Sequence, residues 1–319
     1  MNIRNMDYLI RRNLPIVWPF PLNTFISRFF TKISILVGDL ALSALYLVGR
    51  SKARKVGYSN RGNAILKLNS NSALGLKGSE IHVPNDRLFP GRICRYGEWD
   101  TSDVAFLLAG LDMNPNSLML DIGANSGLVS LQVLNKAKYA SSCILVEPVP
   151  SHVQAIENNL GELKTIHDIS IYEIALSDRD GTGKIYIQQT NRGNTSLLSE
   201  VVPSKKMSSL TINLQSSHSF AQNHLTNFKH VILKCDTQGM DAAILSRFPQ
   251  TVWESISRAV VEIWAVEAIA QSDVDTLMEL WGRFRNVTWS GGTDLLTLAE
   301  VRDFWLSKSG HHKNLLLSM

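Results

Sequence analysis

Five carboxylates fall at or near the ends of short apolar runs: Asp121 in "LMLDIG", Glu147 in "CILVEP", Asp178 in "ISIYEIALSD", Asp236 in "HVILKCD" and Glu262 in "RAVVEIW". Carboxylates accept hydrogen bonds and take protons from acids as weak as alcohols when a reaction assists. The turn "DIGANSG" follows the first run and brings Gly123, Asn125 and Gly127. Glycines let a backbone come close to a ligand, and the helix that follows opens on unpaired N–H groups. Glu147 lies about 24 residues beyond Gly123, a spacing that suits a ribose diol. Asp178 is placed to accept from an exocyclic amine such as that of adenine. Lys234 and Asp236 are two residues apart and share one side of a strand. Any one of these acids is more often a helix cap or a surface charge. Together they form an acidic ring, which disfavours phosphate and suits a cationic adenosine ligand such as S-adenosylmethionine.

The elements that would carry this ring alternate. "VAFLLAGL", "SGLVSLQVLNKA", "SHVQAIENNL", "MDAAILSRF" and "VDTLMELWGRF" have helical spacing, and the apolar runs between them read as buried strands. "GKIYIQQ" is a further short strand, and "NVTWS" with "NLLLSM" can close the sheet as a final pair. The fold class expected is α/β, a Rossmann-like and mostly parallel sheet with helices on both faces. Ligands bind such sheets outside the carboxyl ends of the strands. Three segments are expected: an N-terminal extension (1–57), a small strand-rich lead-in (58–100) and the main domain (101–319).

The 319 residues carry 32 Lys/Arg and 28 Asp/Glu, a net charge of +4. Nine of the basic and two of the acidic residues lie at or before Lys55, so the remainder is slightly acidic. A basic, nucleic-acid-binding main domain is not expected. Cys94, Cys143 and Cys235 have no metal-ligand spacing and read as buried thiols of a reducing, cytoplasmic compartment. No metal site is expected. After Pro15, Pro19 and Pro21, residues 22–50 show helical spacing with Arg28, Lys32, Asp39, Ser43 and Arg50 on one stripe. The apolar stretch is too short to span a membrane. Residues 14–50 either lie on the inner membrane face as a peripheral contact or pack on protein.

These motifs also follow one another as in a known family. "DIGANSGLVS", "VEPVPSHVQAIENNL", "EIALSDRDGTGKIYI", "NRGNTSLL" and "LKCDTQGMDAAIL" together resemble the FkbM-type S-adenosylmethionine-dependent methyltransferases, and "IHVPNDRLFPGRICRYGEWD" is similar to the segment that precedes that domain. The resemblance covers roughly residues 80–265. It implies a class I methyltransferase fold with a reversed last strand. It implies S-adenosyl-L-methionine as cofactor and a sugar, glycolipid or other small-molecule hydroxyl as acceptor, without an obligatory metal. Carried over by position, Asp121, Gly123, Asn125 and Gly127 would line the methionine end, Glu147 the ribose and Asp178 the adenine. Asn194 and Ser196 of the Gly/Ser loop would contact the acceptor. The run from Lys234 keeps Asp236 and Gly239 but has Asp241 where the family carries Glu.

Methyl transfer to an alcohol needs donor and nucleophile in line and a base for the hydroxyl proton. Asp236 is the first candidate base, Lys234 orients it or the acceptor, and Glu262 is the second candidate. His152 reads as a capping or surface residue. Two readings of other classes stay open: a non-catalytic Rossmann-like binding module, and a nicotinamide-dependent oxidoreductase, against which "DIGANSG" lacks the third glycine of the dinucleotide fingerprint.

Overall fold

The structure is a computed structural model that describes residues 51–86, 88–188, 191–193, 195–199, 201 and 207–319. The amphipathic segment 14–50 and the candidate acceptor residue Asn194 lie outside the described residues. Among those described, no helix is long and apolar enough to cross a membrane.

Three short antiparallel strands come first: β1 (Ala53–Tyr58), β2 (Ala64–Leu68) and β3 (Glu80–Val83). β1 starts at Ala53, inside the stretch assigned to the extension. Alternation in β2 and β3 sends Leu66, Leu68, Ile81 and Val83 inward. Two helices follow, α1 (Leu88–Tyr96) and α2 (Thr101–Leu111). The main sheet then builds as β4 (Leu118–Ile122), α3 (Leu128–Lys136), β5 (Ser142–Val146), α4 (Pro150–Leu160) and β6 (Asp168–Tyr172). A smaller sheet interrupts it, made of β7 (Ala175–Ser177), β8 (Gly181–Gln188), β9 (Thr195–Ser196) and β10 (Met207–Ser216). Helix α5 (Ser217–His224) leads back to β11 (Val231–Cys235), α6 (Asp241–Leu245), α7 (Gln250–Ser255), β12 (Ile256–Trp264), α8 (Gln271–Trp281), β13 (Asn286–Trp289), α9 (Leu298–Trp305) and β14 (His312–Ser318).

The main sheet has seven strands in the order β13-β14-β12-β11-β4-β5-β6. β14 runs antiparallel to both its neighbours and every other pairing is parallel. This is the doubly wound, Rossmann-like sheet with a reversed last strand that the alternation and the resemblance led us to expect. β4 sits where the strand order reverses, with β5 on one side and β11 on the other, and this is where such sheets take ligands.

The side-chain period of two splits each central strand between two cores. Leu118, Leu120 and Ile122 of β4 join Val231, Leu233 and Cys235 of β11 in one apolar cluster, which holds the fully buried Trp253, Trp281 and Trp305. Met119 and Ile232 face the other cluster, with Leu107 and Leu111 of α2, Leu131 of α3 and Leu145 of β5. Leu66, Ile81 and Val83 of the lead-in belong to that second cluster as well. Asn159 in α4 fastens the lead-in further. Its Oδ1 accepts from the N–H of His82 at 2.7 Å, and its Nδ2 donates to the carbonyls of His82 and Ser126, both at 2.8 Å.

One expectation is corrected here. "ISIYEIALSD" does not form one strand. The chain leaves the main sheet after Tyr172, and Ala175–Ser177 pairs in parallel with Leu214–Ser216, nearly forty residues downstream. Asp178 therefore does not stand at the tip of the third main-sheet strand.

Candidate active site

The carboxyl ends of β4, β5, β11 and β12 open into a cleft of about 380 Å³. Gly123, Ala124, Asn125 and Ser126 bound it on one side, and Glu147 and Pro148 follow from β5. Lys234, Asp236, Thr237 and Gln238 come from β11 and the turn after it, and Glu262 and Trp264 from β12. The lead-in and α1 add Phe89, Trp99 and Asp100, and the reversed strand adds His312 and Asn314.

The glycine corner owes its shape to how near β11 comes. Gly123 has φ +73°, and a Cβ built on it would lie 2.0 Å from the backbone oxygen of Asp236. Only a glycine fits there. Asn125 also takes a left-handed conformation, at φ +54°, which Asn tolerates better than most residues. The buried Oδ1 of Asn125 and Oγ of Ser126, on residues that line the cleft, have no hydrogen-bond partner within the protein. Buried polar atoms are rarely left so without a ligand or water to meet them. Gly127, at φ +72°, heads α3 behind the wall, where a Cβ would meet Ile156 at 3.3 Å.

Glu147 is 4% exposed. Its Oε2 accepts from the Asn125 N–H at 2.9 Å, and its Oε1 from the Val149 N–H at 3.0 Å. The Nδ1 of His152 lies 3.2 Å from the same Oε1. His152 is 1% exposed, so it is neither a cap nor a surface residue. With His152 donating, three of the four acceptor positions of the carboxylate are filled and one on Oε2 is open.

Asp121 is fully buried beneath the corner and does not line the cleft. The β4–β11 register sets it directly across from Lys234. Its Oδ1 is 3.1 Å from the Lys234 Nζ, and its Oδ2 accepts from the Ser130 hydroxyl at 2.6 Å. Lys234 reaches the Gly123 carbonyl at 3.4 Å and Asp236 Oδ2 at 3.7 Å. Burial alone would lower the pKa of this ammonium, but the charges of Asp121 and Asp236 outweigh it and raise it.

Asp236 and Glu262 titrate in opposite directions. Burial opposes ionisation of both. For Asp236 the Lys234 charge and two side-chain hydrogen bonds prevail, and its pKa falls below the ordinary carboxylate value. For Glu262 the neighbouring Asp236 charge adds to burial, and the pKa rises well above normal. The two carboxyl groups titrate as a pair, with the charge favoured on Asp236 and the proton on Glu262. Asp241 is buried and accepts from the N–H groups of Thr237 and Gly239 at 3.1 and 3.3 Å. Its shorter side chain thus fixes the turn after β11. Burial and the Asp236 charge push its pKa up to about 6.

Of the candidate residues, Gly123, Asn125, Glu147, Lys234, Asp236 and Glu262 meet at the cleft, whereas Asp178 and Ser196 do not. Asp178 is half-exposed, pairs with Arg179 at 3.2 Å and lies off the cleft wall. The link after β6 and the start of β7 supply Ile174, Ala175 and Leu176 there instead. Ser196 is buried and turned inward, its hydroxyl donating to the Gln238 carbonyl at 2.7 Å. Several cleft residues carry no motif that sequence reasoning could use. Asp100 precedes α2 at φ +39°, and burial pushes its pKa up to about 6. Two stacked ring pairs bracket the same end: Phe89 on Trp99 with centroids 4.3 Å apart, and Trp264 on His312, also at 4.3 Å. Among the described residues no three His, Cys, Asp or Glu side chains gather as metal ligands would.

No curated protein matches the chain. Solved structures with some likeness include the methyltransferase FkbM of Methylobacillus flagellatus KT, at 13% identity and TM-score 0.38 over 63% of this chain and 44% of that one. This chain thus spans less than half of that relative. They also include the fibrillarin of Aeropyrum pernix with natively bound S-adenosyl-L-methionine, at 14% identity and TM-score 0.36 over 83% and 98% of the two chains. A precorrin-6y C5,15-methyltransferase of Geobacter metallireducens GS-15 stands at 12% and 0.35 over 68% and 88%. The family profile described as the methyltransferase FkbM domain matches residues 121–282, just over half of the sequence, from the end of β4 through α8, with β13 and β14 beyond the match. The chain belongs to the FkbM family of S-adenosylmethionine-dependent methyltransferases.

Proposed function

We propose that the protein is an O-methyltransferase acting on a hydroxyl of a sugar, glycolipid or related natural product. The observation that carries this reading is the half-buried Asp236 carboxylate at the tip of β11, 3.7 Å from the Lys234 ammonium and in the same cleft as the glycine corner and Glu147. When bound, S-adenosylmethionine supplies a methyl carbon activated by its sulfonium. Gly123 and Asn125 would hold its methionine end, with the unpartnered Asn125 and Ser126 oxygens able to accept from its ammonium. Glu147 would accept from one ribose hydroxyl on its open Oε2 position. Pro148 and the Ile174–Leu176 segment would flank the adenine, without a carboxylate from Asp178. Asp236 would take the proton of the acceptor hydroxyl as its oxygen bonds the methyl carbon and the methyl–sulfur bond breaks, leaving S-adenosylhomocysteine as the neutral thioether. The Lys234 charge lowers the pKa of Asp236, and burial beside that carboxylate raises the pKa of Glu262. The ring pairs with Asn191 and Asn314 offer apolar faces and amides, a combination that suits a ring bearing hydroxyls. Peripheral membrane contact through residues 14–50, in the cytoplasm, is part of the same reading.

Two experiments test it. In calorimetric titration, wild-type protein binds S-adenosylhomocysteine, Glu147→Ala weakens it roughly ten- to hundredfold, as loss of a charge-assisted hydrogen bond does, and Asp178→Ala leaves it unchanged. A loss in Asp178→Ala equal to that in Glu147→Ala would return the adenine to Asp178. In the second, methyl-labelled S-adenosylmethionine is offered with neutral glycosides, glycolipid extract and bulk RNA. Label is expected in the first two as alkali-stable methyl ether. Label confined to RNA, or released by alkali as from an ester, would refute the acceptor class.

A further inference from the structure

Gln238 sits between the two carboxyl groups of the cleft. Its Nε2 donates to Asp236 Oδ1 and to Glu262 Oε2, each at 2.7 Å. An amide nitrogen carries two hydrogens, and both are used. Glu262 Oε2 also accepts from the Trp264 indole N–H at 2.6 Å. The backbone of Gln238 is left-handed, at φ +55°, a conformation that costs a residue with a Cβ and persists where its surroundings enforce it. The surroundings here are specific. The Gln238 carbonyl accepts from the Ser196 hydroxyl at 2.7 Å, and the Ser196 oxygen accepts from the Leu198 N–H at 3.0 Å. The neighbouring N–H groups of Thr237 and Gly239 are held by Asp241.

We propose that Gln238 is a positioning residue for the base: by bridging both carboxyl groups with one amide it keeps Asp236 ionised at the cleft, and Ser196 holds it in place to do so. This rests on the reading of Asp236 as the base. The physical ground is that two carboxyl groups this close do not both ionise, so the environment decides which of them keeps the proton. An amide can donate to both and can take a proton from neither. Its bond to Asp236 favours the charged form of that group, and its equal bond to Glu262 does the same there; Lys234, beside Asp236, decides which of the two ionises, and the amide stabilises that charge. Lys234 from β11, Asp241 from α6, Trp264 from β12, His312 from β14 and Asp100 before α2 face the same pair. None of them is altered by changing Gln238, so a shift seen on its removal belongs to the bridge.

The test is a pH titration of carboxyl carbons by 13C NMR in full-length protein labelled at Asp and Glu, with Asp236→Asn and Glu262→Gln spectra to assign the two signals. In Gln238→Leu the Asp236 midpoint is expected to rise by about one pH unit or more, a tenfold or larger loss of the ionised fraction at pH values below it. Ser196→Ala moves it the same way by less, and Gln238→Glu, which adds a third carboxyl group, moves it further. Binding of S-adenosylhomocysteine reports that each variant is folded. An Asp236 midpoint within about 0.3 unit of wild type in any folded Gln238 variant overturns the proposal. Failure of the base reading shows separately, as methyl transfer at the wild-type rate by Asp236→Asn.

Discussion

Gly123→Ala is expected to lose both stability and cofactor binding, while Gly127→Ala, four residues on, keeps the second and most of the first. Both glycines have φ near +73°, so both alanines carry the same left-handed penalty of about 1–2 kcal/mol. They differ in what the new Cβ meets. At Gly127 it meets the branched stem of the buried Ile156 at 3.3 and 3.5 Å, and a shift of a few tenths of an ångström in that side chain accommodates it. At Gly123 it meets the Asp236 carbonyl oxygen at 2.0 Å and its carbon at 2.8 Å. Backbone cannot rotate away. To admit the methyl group, the tips of β4 and β11 must part by an ångström or so, on the order of what separates that contact from an ordinary one. The movement strains the Asp236 N–H bond to the Ile122 carbonyl, now 3.0 Å, and the Gly123 N–H bond to the Val146 carbonyl, now 2.9 Å. It also shifts Asp236 itself. A cost of about 3–5 kcal/mol, in the range of severe single substitutions, is expected in urea unfolding, with S-adenosylhomocysteine binding reduced beyond detection in what remains folded. Equal urea midpoints for the two alanine variants would show that the close approach of the strand tips does not govern the corner.

That close approach explains why the corner is so polar at the end of a core strand, and it was only partly legible in the sequence. The central strands could be read because each is a short run buried on both faces, and parallel sheets of this kind produce such runs. The acids at their ends could be read because strand ends in such sheets face the ligand. Which acid turns into the cleft was not legible, since that depends on pairing between distant segments. Asp121 looked like a cofactor contact, but the register with β11 gives it to Lys234. Asp178 looked like a strand tip, because "ISIYEIALSD" is unbroken in its apolar pattern. Its last residues pair instead with a strand almost forty residues later, and nothing local announces that partner. Asp100, Gln238 and His312 escaped notice for a related reason. They reach the cleft from a left-handed residue before a helix, a left-handed turn and a reversed strand, and neither residue type nor spacing marks such conformations in a single sequence.

Lys234→Met is expected to be the most destabilising change among the charged residues of the site, by about 3–5 kcal/mol at pH 8, the usual cost of breaking a buried ion pair from one side. Asp121 has no exposure, and without the ammonium its carboxylate keeps only the Ser130 hydroxyl. The penalty lies in the stranded charge more than in the lost attraction. Asp121→Asn combined with Lys234→Met removes that charge and should recover most of the loss, giving a large favourable coupling in the double-mutant cycle. The pH dependence has a definite sign. In wild type the folded-state pKa of Lys234 is raised, so its contribution is complete below the lysine value of the unfolded chain and is lost only in strong alkali. Between pH 5 and 8 it does not vary. Urea unfolding at pH 8 of wild type, Lys234→Met and the double variant measures the loss and its recovery. A gap below about 1 kcal/mol at pH 8, or a double variant no more stable than the single one, would mean that the buried pair does not support the corner. The polar end of β4 would then depend on the strand register and Gly123 alone.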